Sequence, residues 1–577
     1  MKKILIPYYL ITFSLLCASC KKLNEVNPSG ATAEAVWTTP EGILTLINGA
    51  YSELRNFYGK EDAVLMTEGG TDIWFNQNKA NFANQLTRYE SFTAASSGTN
   101  RNTFRTLYRC LNLANAGIGR IKSINYPSVQ ERNRREGELR FLRAFDLWHI
   151  VEFWGGANLR TTETQGAEVT AHRSSVEDFY KVIIEDLEFA KQNLPDQDFW
   201  GKEYSRASRK SAAGLLARVY LTRAYYAAGA DAQSWFTKAR DAAKFVIDNA
   251  AQLKTALTPK YADLWLPANN KKVSAAGGES LFTISNSTNT TLNYDNNANR
   301  MHMWYLTQYS GRIGALQLSL DYGNDNQRRL QPTRALLDMY NENIDARYEG
   351  SFQEVWIANK DYVWTTADAN TYKKLSGIVG RQLKAGVDTA LYITKKSISD
   401  ESSRPYIVFD RDTMYKPNGT IAGVNAWPAL IKFAFPNRTA PNAQPGYNDI
   451  FLIRFAEMYL IAAEAEFRLG NNAAAADYIN VVRTRAAKPG QTSAMQVTAA
   501  DINIQFILDE RAREFAGEQI RWFDLKRSLS ADQWVARIKS LNPDITAVQP
   551  YHRLRPIPQE EIDALTNGAE FGQNPGY

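Results

Sequence analysis

The 577-residue sequence predicts a mainly α-helical chain, built from paired helices and carrying a loop-rich insert with short strands. Three observations predict it. Apolar residues recur at helical spacing through both halves; two helix–turn–helix segments of the same plan stand one in each half; and the stretch between them changes composition.

At the start, Lys2 and Lys3 precede the apolar run "ILIPYYLITFSLLCAS", which ends at Lys21 and Lys22. The run is too short and too abruptly closed for a membrane span of about 20 residues, and it fits a cleaved secretory leader over residues 1–19. Next, "TPEGILTLINGAYSELRNFYG" offers Thr39 as N-cap and Pro40 at the first helical position, with Ile43, Ile47 and Tyr51 repeating every four residues. "RFLRAFDLWHIVEFWGG" is apolar nearly all round, so it predicts a buried helix ended by Gly155-Gly156.

The paired segments are 215–249 and 451–486. Tyr220-Leu221 answers Tyr459-Leu460, Gly229 answers Gly470, and each second helix is rich in alanine. Their length is close to the roughly 34 residues of a tetratricopeptide unit, and such units stack because none buries its apolar face alone. Residues 255–448 are rich in Asn, Thr, Gly, Pro and Tyr, with β-like runs such as "DYVWTT" and "YIVF". The expected division is leader 1–19, helical region 20–254, loop-rich insert 255–448 and helical region 449–577. Loops on a rigid frame are where function concentrates.

The net charge of +6 is small against 67 basic and 61 acidic residues, and no basic run points to nucleic acid. Three cysteines, two of them Cys17 and Cys20 beside the leader, leave Cys110 alone in the body, so no internal disulfide is expected. The C-x-x-C pair lacks the folded context of a redox or metal motif. Instead "LCASC" resembles a bacterial lipobox, which implies cleavage before Cys20 and lipidation of its thiol. Several acyl chains on one residue anchor durably where one is marginal.

Catalytic signatures are sparse. His149, His172, His302 and His552 are scattered, with no H-E-x-x-H, and G-x-S-x-G and P-loop patterns are missing. His149 lies in an apolar helix and reads as a satisfied core histidine. Glu510, Glu514 and Glu518 recur at i, i+4, i+8, but the interleaved Arg511, Arg513 and Arg521 make a salt-bridged structural helix the better reading than an acid–base pair. Asp295, Asn297 and Asn299 alternate as at the start of a calcium loop, yet Arg300 stands where an EF-hand needs Gly and the closing Glu is missing, so a polar loop is expected. No cofactor is expected.

Across nearly the whole mature chain the sequence resembles the SusD/RagB family of Bacteroidetes outer-membrane lipoproteins. The resemblance is carried by "LRFLRAFDLWHIVEFWGGANL", "SRASRKSAAGLLARVYL", "FLIRFAEMYLIAAEAEFRLG", "YINVVRTRA", "ILDERAREFAGEQIRWFDLKR", "RPIPQEEI" and "FGQNPGY", in this order. It implies tetratricopeptide-like repeats forming a right-handed scaffold and a non-enzymatic, surface-exposed binder of glycans, or of peptides in some members. It also implies a SusC-like TonB-dependent transporter as partner, in the outer membrane.

A sugar binder needs flat apolar rings for stacking, with amides, carboxylates or Arg to bond the hydroxyls. Two stretches offer that mixture. "TEGGTDIWFNQNKANF" brings Asp72, Trp74 and Asn76; "NYDNNANRMHMWYLTQYSGR" brings Arg300, Trp304, Tyr305 and Tyr309, with Tyr322 further on. For each ring the competing reading is a buried packing residue. The expected function is therefore oligosaccharide capture and delivery to the transporter. Peptide or glycopeptide capture, a surface glycoside hydrolase and an assembly adaptor are the alternatives.

Overall fold

The protein is described by a computed structural model at residues 33–77, 81–293 and 299–577. The leader, the lipidation candidate Cys20, and Asp295 and Asn297 lie outside the described residues.

Helix α1 (Pro40–Glu53) starts as its sequence dictates, with the Thr39 hydroxyl accepting a hydrogen bond from the Gly42 amide at 3.1 Å. It is followed by α2 (Glu61–Thr67), α3 (Gly98–Ile121) and α4 (Val129–Trp154). Helix α4 reaches back to a Ser128 cap, well before its apolar stretch, and almost every residue from Glu136 onward is buried. Gly155 takes φ +68°, a left-handed value glycine adopts freely, and its amide closes the last turn on the Val151 carbonyl at 2.9 Å. Within α4, His149 is fully buried. Its Nδ1–H donates to the Phe145 carbonyl (2.7 Å) and its Nε2 accepts from the Tyr58 hydroxyl (2.6 Å). Burial depresses its pKa to about 3, so the ring is a neutral, satisfied core group.

The paired segments form α6 (Arg209–Ala224) with α7 (Gly229–Asp248), and α8 (Phe455–Arg468) with α9 (Asn472–Ala486). With α5 (Val176–Asn193) they stack in the order α4, α5, α6, α7, α8, α9, each on the next. The stack runs straight across the insert, because α7 packs on α8 although some 200 residues separate them in sequence. Arg218 of α6 seals the junction, gripping Glu457 of α8 at 2.7 and 3.0 Å and the Leu452 carbonyl at 2.9 Å.

The strands are few and short. β1 (Trp74–Phe75) pairs antiparallel with β3 (Gln331–Pro332), and β2 (Ser280–Ile284) with β7 (Ile450–Arg454). β4 (Val355–Ile357), β5 (Thr389–Ile393) and β6 (Ile407–Phe409) form one sheet, β6 coming from the "YIVF" run; Tyr362–Val363 of "DYVWTT" pairs with Gln382–Leu383. The chain closes with α10 (Ile504–Phe515), α11 (Arg521–Ser528) and α12 (Ala531–Leu541). A single main core extends from Ala50 to Phe571 and joins the helices to the insert.

The glutamate ladder differs from its helical reading. Helix α10 stops at Phe515, and Gly517 turns with φ +79°, so Glu518 lies beyond the helix. Only Arg513 of the three expected arginines meets the ladder, at Glu510 (2.6 Å); Arg511 turns to Asp524 (2.7 Å) and Arg521 to Asp72 (2.6 Å). The other partners arrive from distant segments. Arg347 and Arg483 bind Glu510 at 2.8 and 2.7 Å, Arg454 bridges Glu279, Glu514 and Glu518 at 2.6, 3.0 and 2.7 Å, and Lys432 meets Glu518 at 2.9 Å. Burial alone would raise the Glu514 pKa, but Arg485, Arg454 and Arg347 hold it well below the usual carboxylate range.

Candidate functional site

The first predicted stretch begins at the glycine pair after α2. Gly70 has φ +70°, and a Cβ there would collide with the Leu86 carbonyl oxygen, so only glycine lets the chain fold back this closely. The turn delivers Asp72, Trp74 and Asn76 inward, and all three are fully buried. Asp72 is chelated by Arg521 (2.6 and 2.8 Å) and Arg537 (2.7 Å). Burial would raise its pKa; the two guanidiniums overcome that and keep the carboxyl below its ordinary value. Trp74 packs its ring on Tyr305, with centroids 4.8 Å apart and planes at 57°. Asn76 offers its backbone carbonyl to Arg88 Nε at 3.0 Å.

The second stretch behaves alike. Trp304, Tyr305 and Tyr309 are each 1 % exposed. The Trp304 carbonyl accepts from the amides of Arg329 (2.7 Å) and Leu330 (3.0 Å), and the Tyr305 hydroxyl donates to the Gly517 carbonyl (3.2 Å). Tyr309 donates to the Gly323 carbonyl (2.7 Å) and meets Tyr322 edge-on at 5.5 Å. Tyr322 is half-buried, its hydroxyl both donating to the Ile357 carbonyl (3.1 Å) and accepting from the Ile357 amide (2.8 Å).

The structure thus brings the two stretches together, with β1 on β3 and Trp74 on Tyr305. It also corrects the stacking role expected of Trp74, Trp304, Tyr305 and Tyr309, and the ligand role expected of Asp72 and Asn76. A ring or carboxylate sealed in the core presents no face or lone pair to a ligand. These groups brace the surface above them. Of the predicted residues, Arg300 and Tyr322 remain partly accessible. Arg300 is fixed through its backbone, whose amide donates to the Gly59 carbonyl at 2.9 Å.

On the braced surface, Phe82 is 54 % exposed. The Arg329 guanidinium lies 5.8 Å from its ring centroid and 5.9 Å from that of Trp304, and it pairs with Glu61 at the start of α2. Elsewhere the insert's loops are tied to one another by buried groups. Asn299 pairs with Gly446 as a backbone bridge, His302 Nε2 bonds the Gln444 carbonyl (2.8 Å), and Asn324 Nδ2 donates to the Asn442 carbonyl (2.9 Å). Around Phe82 the result is an exposed ring beside a charged, planar hydrogen-bond donor and a carboxylate acceptor, chemistry that suits a ligand with an apolar face and polar edges. Among the described residues no group of three or more His, Cys, Asp and Glu side chains is placed to hold a metal ion. Phe82 closes the very stretch read for Trp74. Ring size favours Trp74 as the platform, whereas the flanking Asn81 and Asn84 are the local signal that Phe82 has the more solvent-like setting.

Two family models match the chain, one described as the SusD family over residues 248–577 and one as "starch-binding associating with outer membrane" over residues 25–221. SusD-like protein P2 of Formosa agariphila is 27% identical over the full length of both chains. The starch-binding protein SusD of Bacteroides thetaiotaomicron is 25% identical, covering 78% of this chain and 73% of that one. Among solved structures, a SusD homolog from Bacteroides thetaiotaomicron superimposes with a TM-score of 0.71 at 21% identity, covering 94% of this chain and 98% of the other, a likeness of fold.

Proposed function

Since the chain belongs to the SusD family, we propose that it is a non-catalytic binder that captures oligosaccharide at the outer-membrane surface and delivers it to a SusC-like TonB-dependent transporter. The observation that carries the reading is the exposed Phe82 ring flanked by Arg329 and Glu61, on a face held rigid by the buried Trp74, Trp304 and Tyr305. The starch-binding relative and the family description support sugar as the ligand class. In this reading Cys20 carries the lipid anchor, and Arg300 and Tyr322 border the ligand. Capture without turnover agrees with the state of the glutamate ladder, where buried cations hold the Glu510 and Glu514 carboxyls well below the usual carboxylate range.

The test is binding of the soluble body, starting after Cys20, to a panel of plant, host and microbial polysaccharides, in parallel with Phe82→Ala. Loss of binding by a folded Phe82→Ala protein supports the site. Undiminished binding refutes it, and new reducing ends released from a bound polysaccharide would replace the binder with a hydrolase.

A further inference from the structure

A second cleft shares no lining residue with the loop face. It has a volume of about 490 Å³, within the range of small-ligand sites. One wall is α3, which presents Phe104, Tyr108 and Asn112 at i, i+4 and i+8, a single helical face. The second wall is the irregular segment 158–171, and the third is the C-terminal stretch from Ile557 to Phe571.

The walls are tied together without a ligand. Asn112 Oδ1 accepts from both the amide and the hydroxyl of Thr164 (2.8 and 2.9 Å), and the Tyr108 hydroxyl donates to the Asn158 carbonyl at 2.9 Å. Thr566 binds the Val169 carbonyl through its amide (2.8 Å) and hydroxyl (3.0 Å), and the Asn567 side chain brackets Ala171 at 2.8 and 3.2 Å. The cleft is preformed, so a ligand spends little binding energy on ordering it.

Its chemistry is selective. Phe104 and Tyr108 lie with ring centroids 4.6 Å apart and planes at 34°, which makes an aromatic wall. The Asn158 side-chain amide makes no hydrogen bond among the described residues, and Asn112 Nδ2 is likewise unengaged. Each guanidinium on the rim already faces a carboxylate: Arg105 meets Glu561 and Glu560 (2.5 and 2.9 Å), Arg160 meets Glu168 (2.5 Å) and Arg109 meets Glu53 (3.0 Å). Among the residues that line the cleft, an anion would find every guanidinium already paired and several carboxylates to repel it; Arg173, behind the Phe571 ring at 5.5 Å, is engaged by the Gly572 carbonyl and the Asn574 side chain. A neutral ring bearing hydroxyls would find donors, acceptors, amides and an apolar wall together.

We propose that this cleft is a second, independent saccharide subsite that takes an uncharged pyranose unit of a neutral glycan. The choice of glycan as ligand class rests on the functional reading above; the location and the preference for an uncharged ring rest on the cleft alone. The test uses calorimetry of the soluble body with maltohexaose, laminarihexaose, xylohexaose and mannohexaose, and with hexagalacturonate as the acidic comparison. Ala564→Trp fills the mouth from an exposed position, so no buried contact is lost, and Asn158→Ala removes the unengaged amide. At least one neutral hexasaccharide should bind in a component that Ala564→Trp weakens tenfold or more and Asn158→Ala a few-fold, while Phe82→Ala leaves that component intact. The proposal is overturned if no neutral hexasaccharide binding responds to the two cleft variants, or if hexagalacturonate is the tighter cleft ligand. Binding abolished by Phe82→Ala alone would sink the cleft and keep the loop face. Binding abolished only by the cleft variants would do the reverse.

Discussion

Trp74→Ala and Phe82→Ala separate bracing from binding, because the two aromatics lie eight residues apart in one stretch and in opposite environments. Trp74 is fully buried, its Nε1–H has no partner among the described residues, and its ring packs on Tyr305, so its contribution is read as packing. Truncating a buried Trp costs about 3–5 kcal/mol through lost transfer energy and the cavity left behind. The unfolding entropy near the midpoint, about 2.1 cal/mol/K per residue, sums to roughly 1.2 kcal/mol/K for a body of this length. The expected fall in Tm is therefore roughly 3–4 °C for Trp74→Ala. Phe82 is more than half exposed, and its truncation should stay within about 0.5 kcal/mol, below one degree. Differential scanning calorimetry alongside glycan titration reads both quantities. Phe82→Ala should lose affinity at constant Tm, and Trp74→Ala should lose Tm and affect affinity only through the surface it supports. A Trp74→Ala protein with unchanged Tm and abolished binding would refute the assignment of brace and platform.

Other outcomes follow from the buried charges and turns. Arg454→Met leaves Glu279, Glu514 and Glu518 without their shared cation, and should cost about 3–5 kcal/mol in denaturant unfolding; an unchanged midpoint would mean the network is not formed. For Arg218 and Glu457, a double-mutant cycle with Met at both positions should lose less stability than the sum of the single changes, since each single change strands a buried charge; strict additivity would count against the pair. Glu68 is fully buried, and burial pushes its pKa up to about 8 from 4.5, although the Ile520 amide donates to its Oε1 at 3.1 Å. A raised carboxyl pKa contributes stability that is whole below pH 4.5 and is lost as pH climbs through 8. Glu68→Gln should therefore match the wild type in Tm at pH 4.5 and exceed it by a few degrees at pH 8.5; a constant difference across that window would dismiss the titration. Gly70→Ala should destabilise by at least about 1 kcal/mol, because φ +70° and the Leu86 carbonyl both exclude a Cβ; a neutral Tm would contradict the turn.

Local features were legible in the sequence and non-local ones were not. The Thr39 cap, the Gly155 stop and the two paired segments rest on neighbours within one or two helical turns, and spacing reports them directly. The short strands at Tyr362 and Ile407 were equally visible from turn residues around β-branched and aromatic runs. Exposure of a given ring is a different matter. Trp74 is covered by β3 and Tyr305, both more than 200 residues away in sequence, and nothing local distinguishes it from an exposed tryptophan in a polar loop. The glutamate ladder shows the same limit. Its charge alternation suggested partners on the same helix, while low-dielectric burial recruited Arg347, Arg454, Arg483 and Lys432 from elsewhere.

The way Asp72 and Glu68 are held has a consequence for how the polypeptide reaches its native state. Asp72 is neutralised by Arg521 and Arg537, Glu68 is capped by the Ile520 amide, and the Thr71 and Trp74 carbonyls are taken by Asn542 Nδ2 at 2.8 and 2.9 Å. The early loop is thus completed by residues about 450 positions downstream. A chain delivered N-terminus first, from a ribosome or through a narrow pore, cannot pair these groups in the native way until residues 520–542 have arrived. A copy truncated before Ile520 would leave the Asp72 carboxylate without either of its guanidiniums and the Glu68 carboxyl without the Ile520 amide.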